Sequence, residues 1–314
     1  MIKVGITCGD INGIGPEIVI KSIKQAKSDF KFYLIGPKNI FLTQISKIKL
    51  DDFSKFEFVD TGKATASIGA PSQNSGKSAL NAISETIKLW DEKVIDVIVT
   101  APISKEAIQR AGSKFPGHTE MFANRFRTND FAMMFLSKFM FASLVTIHTP
   151  INKVSRILSR ELLEKKLAIV KASLKQDFKK LGPTLAVLGL NPHAGESGLF
   201  GSEEREIITP ILKKLNSKRE TFYGPFSTDG FFGQKSHKKY DCVVGMYHDQ
   251  ILTPFKLLNF NEGVNFTAGL PLIRTSPDHG TAFGLAGKNL ANPKSMIEAI
   301  KYAAKIYKNR SSNL

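Results

Sequence analysis

Residues 240–282 carry the most informative pattern in the chain, and they read YDCVVGMYHDQILTPFKLLNFNEGVNFTAGLPLIRTSPDHGTA. It opens with an apolar, β-branched run at residues 242–246, whose length is typical of a buried strand. His248, Asp249 and Gln250 follow this run directly. Ligands of open α/β sheets bind outside the carboxyl ends of the strands. The pattern therefore predicts an α/β sheet with a site at the end of this strand.

The second half of the same stretch sets cationic and amide side chains among glycines. These side chains are Lys256, Asn265, Arg274 and His279. Glycine permits close approach of a ligand to the backbone, and cationic donors bind carboxylate and phosphate groups well. We interpret this half of the stretch as a site for an anionic small molecule.

The length of the chain, 314 residues, exceeds the usual size of one domain. Two domains around a cleft are therefore expected. The two cysteines, Cys8 and Cys242, are far apart in sequence, which favours a reducing compartment over a disulfide scaffold. The first residues form a strand pattern at once, and we expect no signal peptide and a cytoplasmic protein.

The formal net charge of +16 raises the question of nucleic-acid binding. A nucleic-acid site concentrates its charge on one face with interleaved aromatic residues, whereas these lysines are spread along the chain. The densest group lies in residues 160–181, where lysines alternate with apolar residues as on the solvated side of an amphipathic helix. The apolar segment 131–147 is interrupted at Ser137 and Lys138, so it predicts two buried strands and no membrane span.

The remainder of the chain alternates predicted strands and helices. The predicted strands cover residues 3–7, 32–36, 56–59, 94–99 and 185–190, and the predicted helices begin near residues 16, 39, 75, 120, 160 and 202. The loop before Pro16 is rich in glycine. A G-x-G-x-x-G motif starting at Gly13 would need glycine at Ile18, and Glu17 would repel a pyrophosphate. These residues exclude an ordinary Rossmann fingerprint.

Three histidines share one context, since each follows an apolar β-type run and precedes a turn. They are His148, His193 and His248. Three neutral imidazoles suit a divalent transition metal and leave positions open for a substrate. For one histidine alone, a locally hydrogen-bonded role is the commoner alternative. The repeated context favours a metal site, although the spacing is not a compact metal motif.

Two further loops carry candidate site residues. Lys105 follows the strand at 94–99 and is either functional or a surface residue at a helix start. His118 and Thr119 open the next helix, and helix N-termini favour anions. We therefore add His118 and Thr119 to the predicted anion site.

Eight motifs in this order carry a resemblance to a known family. They are GD at 9–10, GIGPE at 13–17, TAP at 100–102, GHTE at 117–120, GLNPHAGE at 189–196, MYHDQ at 246–250, RTS at 274–276 and DHGTA at 278–282. Together they resemble the 4-hydroxythreonine-4-phosphate dehydrogenases of pyridoxal phosphate biosynthesis over nearly the whole chain. The sequence departs from that family at Ile11-Asn12, where Pro-Ala is usual, and at Ile251, where glycine is common.

The resemblance implies an α/β fold of the isocitrate and isopropylmalate dehydrogenase type. In that fold two α/β/α domains lie on either side of an active-site cleft. The implied first domain is discontinuous and comprises residues 1–125 and 285–314, and the second comprises residues 126–284. Family members are homodimers whose active site is shared between subunits, so a homodimer is expected here.

The resemblance also implies roles for individual residues. His148, His193 and His248 are the expected ligands of zinc, magnesium or cobalt. The expected substrate-binding residues are His118, Thr119, Lys256, Asn265 and Arg274. The expected residues of an NAD or NADP loop are His279, Gly280, Thr281, Ala282 and Asn292. Lys105, Asp229 and Asp249 are the candidate catalytic residues.

The implied reaction is oxidation of 4-phosphohydroxy-L-threonine, followed by decarboxylation of the β-keto acid. Three alternatives remain open from the sequence. A related dehydrogenase would act on another phosphorylated hydroxy acid such as threonate phosphate. A metal-dependent hydrolase would use the same histidines to activate water, and a basic RNA-binding protein would lose affinity steeply with salt.

Overall fold

The computed structural model describes residues 1–26, 29–115, 117–217 and 220–312, in which strands and helices alternate. The strands are β1 Ile2–Thr7, β2 Phe30–Gly36, β3 Phe56–Asp60, β4 Val97–Thr100, β5 Ala132–Leu136, β6 Ala142–Leu144, β7 Leu185–Leu188, β8 Phe222–Phe226, β9 Cys242–Gly245, β10 Val264–Ala268 and β11 Arg274–Pro277. The helices are α1 Gly15–Gln25, α2 Lys38–Ile48, α3 Gln73–Asp91, α4 Lys105–Arg110, α5 His118–Arg125, α6 Ile151–Ile157, α7 Arg160–Gln176, α8 Thr209–Leu215, α9 Thr228–Gly233, α10 His248–Asn259 and α11 Lys294–Ser311. The α/β class predicted from the sequence is confirmed.

The chain divides into two compact units. The first contains Met1–Thr128 and Pro271–Lys308, and the second contains Asn129–Leu270 with the chain end from Asn309. The domain boundaries expected near residues 125 and 285 stay a prediction. β11, which lies before residue 285, pairs in parallel with β4 of the first unit.

The first unit is built on a parallel sheet with the strand order β3-β2-β1-β4-β11. Its inner strands β1 and β4 are almost entirely buried and rich in valine and isoleucine, as expected of parallel strands covered on both faces. α3 packs against β1 and β2. The N-terminus of α3 is capped by Ser72, which exchanges side-chain to backbone hydrogen bonds with Ser75.

The second unit has a mixed sheet with the strand order β10-β5-β6-β9-β7-β8. The segment 131–147 supplies β5 and β6, an antiparallel pair of buried strands. Two strands were predicted in this segment, and this is confirmed. The strands β6, β9, β7 and β8 run parallel to one another. Their carboxyl ends therefore lie on one edge of this sheet.

α10 anchors this edge to the core of the second unit. The sequence did not predict a helix here, since Pro254 lies inside it and proline normally disfavours a helix interior. The helix forms because Ile251, Leu252 and Phe255 lie on one face and pack into the cluster that contains Leu144 and residues of β7 and β9. Burial of this face positions the first residue of α10, His248.

Both cysteines are buried free thiols. Burial raises the pKa of Cys8 to about 12, so its thiol is protonated and unreactive at neutral pH. Among the described residues, none of the helices has the length and apolar character needed to cross a membrane.

Truncation of Phe255 should destabilise the second unit. Its side chain is 0% exposed, and a Phe→Ala change in a core costs about 3–5 kcal/mol because it removes buried area and leaves a cavity. Leu257→Ala on the same helix is the matched control, since Leu257 is 83% exposed and surface changes alter stability by only about 0.5 kcal/mol. Urea unfolding followed by circular dichroism measures both. Equal stability of the two variants would contradict the assigned core.

Candidate active site

The parallel strands of the second unit gather polar residues at their carboxyl edge. His148 follows β6, His248 follows β9, His193 follows β7 and Asp229 follows β8. These four strands are consecutive neighbours in the sheet, in the order β6-β9-β7-β8. The sheet therefore brings to one edge residues that are up to a hundred positions apart in the sequence. This is the edge at which α/β sheets bind ligands.

The closest pair on this edge is His148 and His248, whose ring centroids are 6.0 Å apart. His248 is the first residue of α10, and its Nδ1 forms a 2.6 Å hydrogen bond with Oδ1 of Asp249. An ionised carboxylate only accepts hydrogen bonds, so we assign the proton to Nδ1. Nε2 of His248 then presents a lone pair, which is the form that binds a metal.

His193 lies on a turn of unusual backbone conformation. Residues His193, Ala194, Gly195, Glu196 and Ser197 all have positive φ angles between 40° and 81°. The imidazole is exposed and its ring lies 6.0 Å from that of Phe200. Asp229 is near it: a hydrogen bond from the Ser227 hydroxyl, and to a lesser extent the charge of His193, hold the pKa of Asp229 below its usual value.

The imidazole nitrogens at this edge are suitable ligands for a transition metal, and their positions satisfy part of what such a site requires. His148 and His248 are close enough to share an ion, and His193 stands on the same edge. Within the residues that the structure describes, no group of three histidine, cysteine or carboxylate side chains is yet arranged to hold a metal ion.

The first unit contains a buried cation in β11. Arg274 is 3% exposed, and its Nε and Nη2 donate hydrogen bonds to the Thr100 hydroxyl at 3.0 and 2.7 Å. Burial lowers the pKa of Arg274 to about 9, while the charge of Glu120 raises it. The guanidinium therefore remains charged at neutral pH. A buried cation whose hydrogen-bond acceptor is a neutral hydroxyl is suited to binding an anion.

His118 adds a neutral polar group beside this cation. It is the first residue of α5, and its buried Nε2 has no hydrogen-bond partner in the described part of the protein. Burial, followed by the charge of Arg274, holds the pKa of His118 well below its usual value. Thr119, the next residue, is buried as well. A buried polar atom without a partner is rare, and a bound ligand would satisfy it.

Lys256 and Asn265, the other two predicted substrate residues, belong to the second unit. Lys256 is half-buried on α10, and it has no ion-pair partner among the described residues. Asn265 lies in β10, and its buried Oδ1 has no hydrogen-bond partner among the described residues. The predicted substrate set is thus divided between the units, with His118, Thr119 and Arg274 in the first.

The predicted cofactor residues lie in the first unit, in the loop between β11 and α11. Thr281 accepts a hydrogen bond from the backbone N–H of Ile14, at 3.0 Å. A Cβ added to Gly280 would meet no atom within 4 Å, so there is room beside this backbone. Ala282 has a φ of 43°, and Asn292 accepts a hydrogen bond from the N–H of Lys294. An exposed turn with open space is compatible with a nucleotide site.

Lys105 is exposed at the first position of α4 in the first unit, where Ser104 caps the helix. In the part of the chain that the structure describes, its side chain forms no hydrogen bond or ion pair that would assign it a role. Asp229 and Asp249, the other candidate catalytic residues, lie beside His193 and His248 as described above.

Two buried residues support the edge in roles that the sequence did not predict. Gln250 donates to the Gly189 carbonyl and the Thr228 hydroxyl and accepts from the N–H of Met246. Glu204 is buried at the start of the π-helical turn Glu204–Ile208, close to the helix start predicted near residue 202. Their partners are mostly backbone groups, so no sequence pattern marks them.

The chain is similar in sequence to proteins of one family. A family model described as pyridoxal phosphate biosynthetic protein PdxA matches residues 14–303. A 4-hydroxythreonine-4-phosphate dehydrogenase from Bacteroides thetaiotaomicron is 40% identical over 330 residues, which cover 98% of this chain and 90% of that protein. The matches therefore extend over almost the full length of the chain.

Solved structures give the same result. The crystal structure of 4-hydroxythreonine-4-phosphate dehydrogenase from Klebsiella pneumoniae matches with a TM-score of 0.83 at 33% identity, covering 97% of this chain and 98% of that one. Isocitrate dehydrogenase from Methylococcus capsulatus matches with a TM-score of 0.51 at 13% identity, covering 99% and 87%, which shows a shared fold alone. The chain therefore belongs to the PdxA family of pyridoxal phosphate biosynthetic proteins, a family of oxidoreductases.

Proposed function

We propose that this chain oxidises the C3 hydroxyl of 4-phosphohydroxy-L-threonine, with NAD⁺ or NADP⁺ as hydride acceptor. The product, 2-amino-3-oxo-4-phosphooxybutanoate, is a β-keto acid, and it loses carbon dioxide to give 3-amino-2-oxopropyl phosphate. One observation carries this proposal. In a chain of this family, three histidines follow the carboxyl ends of three adjacent parallel strands.

We propose that His148, His193 and His248 hold a divalent ion, with zinc and cobalt preferred over magnesium because imidazole is a softer ligand than oxygen. When bound, such an ion supplies Lewis-acid chemistry to the hydroxyl that is oxidised and to the carbonyl that forms. Asp249 orients His248 through a hydrogen bond to Nδ1. Asp229 interacts electrostatically with His193. Carboxylate partners of this kind fix the tautomer and the ring orientation of ligating histidines.

The anion-binding residues fit the phosphate and carboxylate of this substrate. A phosphate monoester carries close to two negative charges at neutral pH. Arg274 supplies a buried positive charge, and Lys256 supplies an ammonium group without an ion-pair partner in the described ranges. His118, Thr119 and Asn265 supply neutral hydrogen-bonding groups. Binding of the phosphate would position the reacting hydroxyl, so remote contacts contribute to rate as well as to affinity.

The remaining roles are proposed on the resemblance. The loop with His279, Gly280, Thr281, Ala282 and Asn292 would bind the nicotinamide nucleotide. Lys105, Asp229 and Asp249 are the candidates for the catalytic residues. A homodimer with an active site shared between subunits, and a cytoplasmic location, complete the proposal.

A substrate panel tests the proposed reaction directly. The purified protein would be incubated with NAD⁺ or NADP⁺, a divalent metal and either 4-phosphohydroxy-L-threonine or threonate phosphate. Formation of reduced nicotinamide, measured by its absorbance, is expected with the phosphohydroxythreonine. A faster reaction with threonate phosphate would assign the chain to a related dehydrogenase. Release of inorganic phosphate without reduced nicotinamide would indicate a hydrolase and contradict the proposal.

Replacement of each proposed metal ligand by alanine should lower both metal content and turnover. Loss of one of three ligands removes a third of the protein donors, so a decrease in metal affinity of at least about 10–100-fold is expected, the range for loss of a supporting partner alone. Metal bound after dialysis would be measured by elemental analysis. His237→Ala is the control, since His237 belongs to the same unit and has no proposed role. Normal metal content in all three variants would remove the assignment.

Lys256→Ala and Arg274→Ala should impair catalysis with the phosphorylated substrate. Loss of a buried charged contact is expected to cost about 2–5 kcal/mol in kcat/KM. The wild type acting on the dephosphorylated analogue should show a loss of similar size, and combining a variant with that analogue should add little. Lys175→Ala, an exposed lysine on α7, serves as the control. Fully additive losses would mean that these residues do not contact the phosphate.

A further inference from the structure

The turn that carries His193 has a backbone conformation that L-residues rarely adopt. The φ angles are 51° at His193, 52° at Ala194, 81° at Gly195, 40° at Glu196 and 57° at Ser197. Four of these five residues are not glycine, and in this conformation each Cβ approaches the following carbonyl oxygen. A run of this kind persists only where neighbouring groups hold it.

The carboxylate of Glu204 makes the hydrogen bonds that hold the start of this turn. Glu204 is 4% exposed. Its Oε1 accepts hydrogen bonds from the backbone N–H groups of Leu190 and Asn191, both at 2.7 Å. Its Oε2 accepts a third from Nδ2 of Asn191, at 2.9 Å. Both carboxylate oxygens are therefore engaged by the two residues that lead into the turn.

Two glycines allow the same carboxylate to touch the backbone on both sides of His193. A Cβ on Gly189 would lie 2.9 Å from Oε1, and a Cβ on Gly195 would lie 2.7 Å from Oε2. These distances are shorter than real Cβ contacts, so any larger residue at either position would displace the carboxylate. Glu204 thus contacts the chain before the turn and inside it.

The side chain of His193 has no comparable support. It is exposed, and in the described part of the protein its imidazole packs near Phe200 without a hydrogen bond. The position from which this imidazole reaches a ligand is therefore set by its backbone. The backbone in turn is held by Glu204, together with the hydrogen bond from the Ala194 N–H to the Asn191 carbonyl at 3.1 Å.

We propose that Glu204 is a positioning residue of the metal site: its buried carboxylate fixes the left-handed turn from which His193 binds the ion. This inference rests on the proposed function, since it takes His193 as a ligand. Glu204 is not assigned as a ligand of the ion, because its carboxylate faces the backbone N–H groups of Leu190 and Asn191 and the side chain of Asn191. Its effect on the reaction is exerted through His193.

Glu204→Gln is the sharpest test, because the amide keeps the shape of the side chain but has a single acceptor oxygen. Its NH₂ group must face either the two backbone N–H groups or Nδ2 of Asn191, so at least one hydrogen bond is lost. We expect the affinity for Co²⁺ to fall about 10–100-fold, the range found for partners that orient metal ligands. Co²⁺ alone, without substrate or nucleotide, would be titrated calorimetrically and by its visible absorption spectrum.

Three further variants separate positioning from general stability. Glu206→Gln is the matched control, since its carboxylate is exposed two residues away and forms an ion pair with Arg205; it should bind Co²⁺ as the wild type does. Asn191→Ala removes one of the three hydrogen bonds and should show a smaller loss than Glu204→Gln. Ala194→Gly added to Glu204→Gln should restore part of the affinity, because glycine adopts positive φ without strain.

The outcomes distinguish this inference from the proposed function. Weaker Co²⁺ binding in folded Glu204→Gln, with faster hydrogen exchange at Leu190 and Asn191 and recovery by Ala194→Gly, supports the positioning role. Unchanged Co²⁺ binding in Glu204→Gln, when His193→Ala abolishes binding, overturns the inference and leaves the metal site intact. Co²⁺ binding that does not depend on His193 overturns the proposed metal site and the positioning role together. If Glu204→Gln does not fold, Asn191→Ala decides, and wild-type affinity in that variant overturns the inference.

Discussion

A single buried carboxamide, that of Gln250, joins three chain segments of the second unit. Its Oε1 accepts a hydrogen bond from the N–H of Met246 at 2.6 Å, and its Nε2 donates to the Gly189 carbonyl at 2.6 Å and to the Thr228 hydroxyl at 2.8 Å. These partners follow β9, β7 and β8, whose carboxyl ends carry residues of the proposed site. Only a side chain with both a donor and an acceptor satisfies them, and each buried group left unpaired costs about 1–3 kcal/mol. The relative positions of the chain segments that follow β9, β7 and β8 depend on this residue.

Backbone strain is concentrated at the same edge. Single left-handed residues such as Lys49 end helices in the ordinary way. The left-handed residues His148 and His193 instead follow strands, and the second begins a run of five. Each such L-residue costs about 1–2 kcal/mol. The hydrogen bonds of Glu204 and Gln250 must offset this conformational cost. Strain offset by a buried polar network is typical of places where a side chain must be held in one position.

Hydrophobic patterning predicted the buried strands well, because a β-branched run such as that of β9 has few alternatives. It failed where neighbours decide the structure. β11 reads RTSP and forms a strand through its pairing with β4, and α10 tolerates Pro254 because its apolar face is buried. The three histidines could be found since each follows a strand. Their adjacency could not, because it depends on the strand order β6-β9-β7, and the role of Glu204 could not, because its main partners are backbone N–H groups.

The first helix explains why this chain lacks a Rossmann fingerprint. In that fold the N-terminus of the first helix binds a pyrophosphate. In the first unit of this protein, the N–H of Ile14 at the start of α1 donates to the carbonyl of Thr281, and a Cβ on Gly13 would lie 2.7 Å from that same oxygen. Glu17, in the first turn, accepts a hydrogen bond from the N–H of Ala291 at 2.8 Å. The positive end of α1 is therefore occupied by the carbonyl of Thr281 and the carboxylate of Glu17. Through these two hydrogen bonds, the start of α1 anchors the loop 281–291.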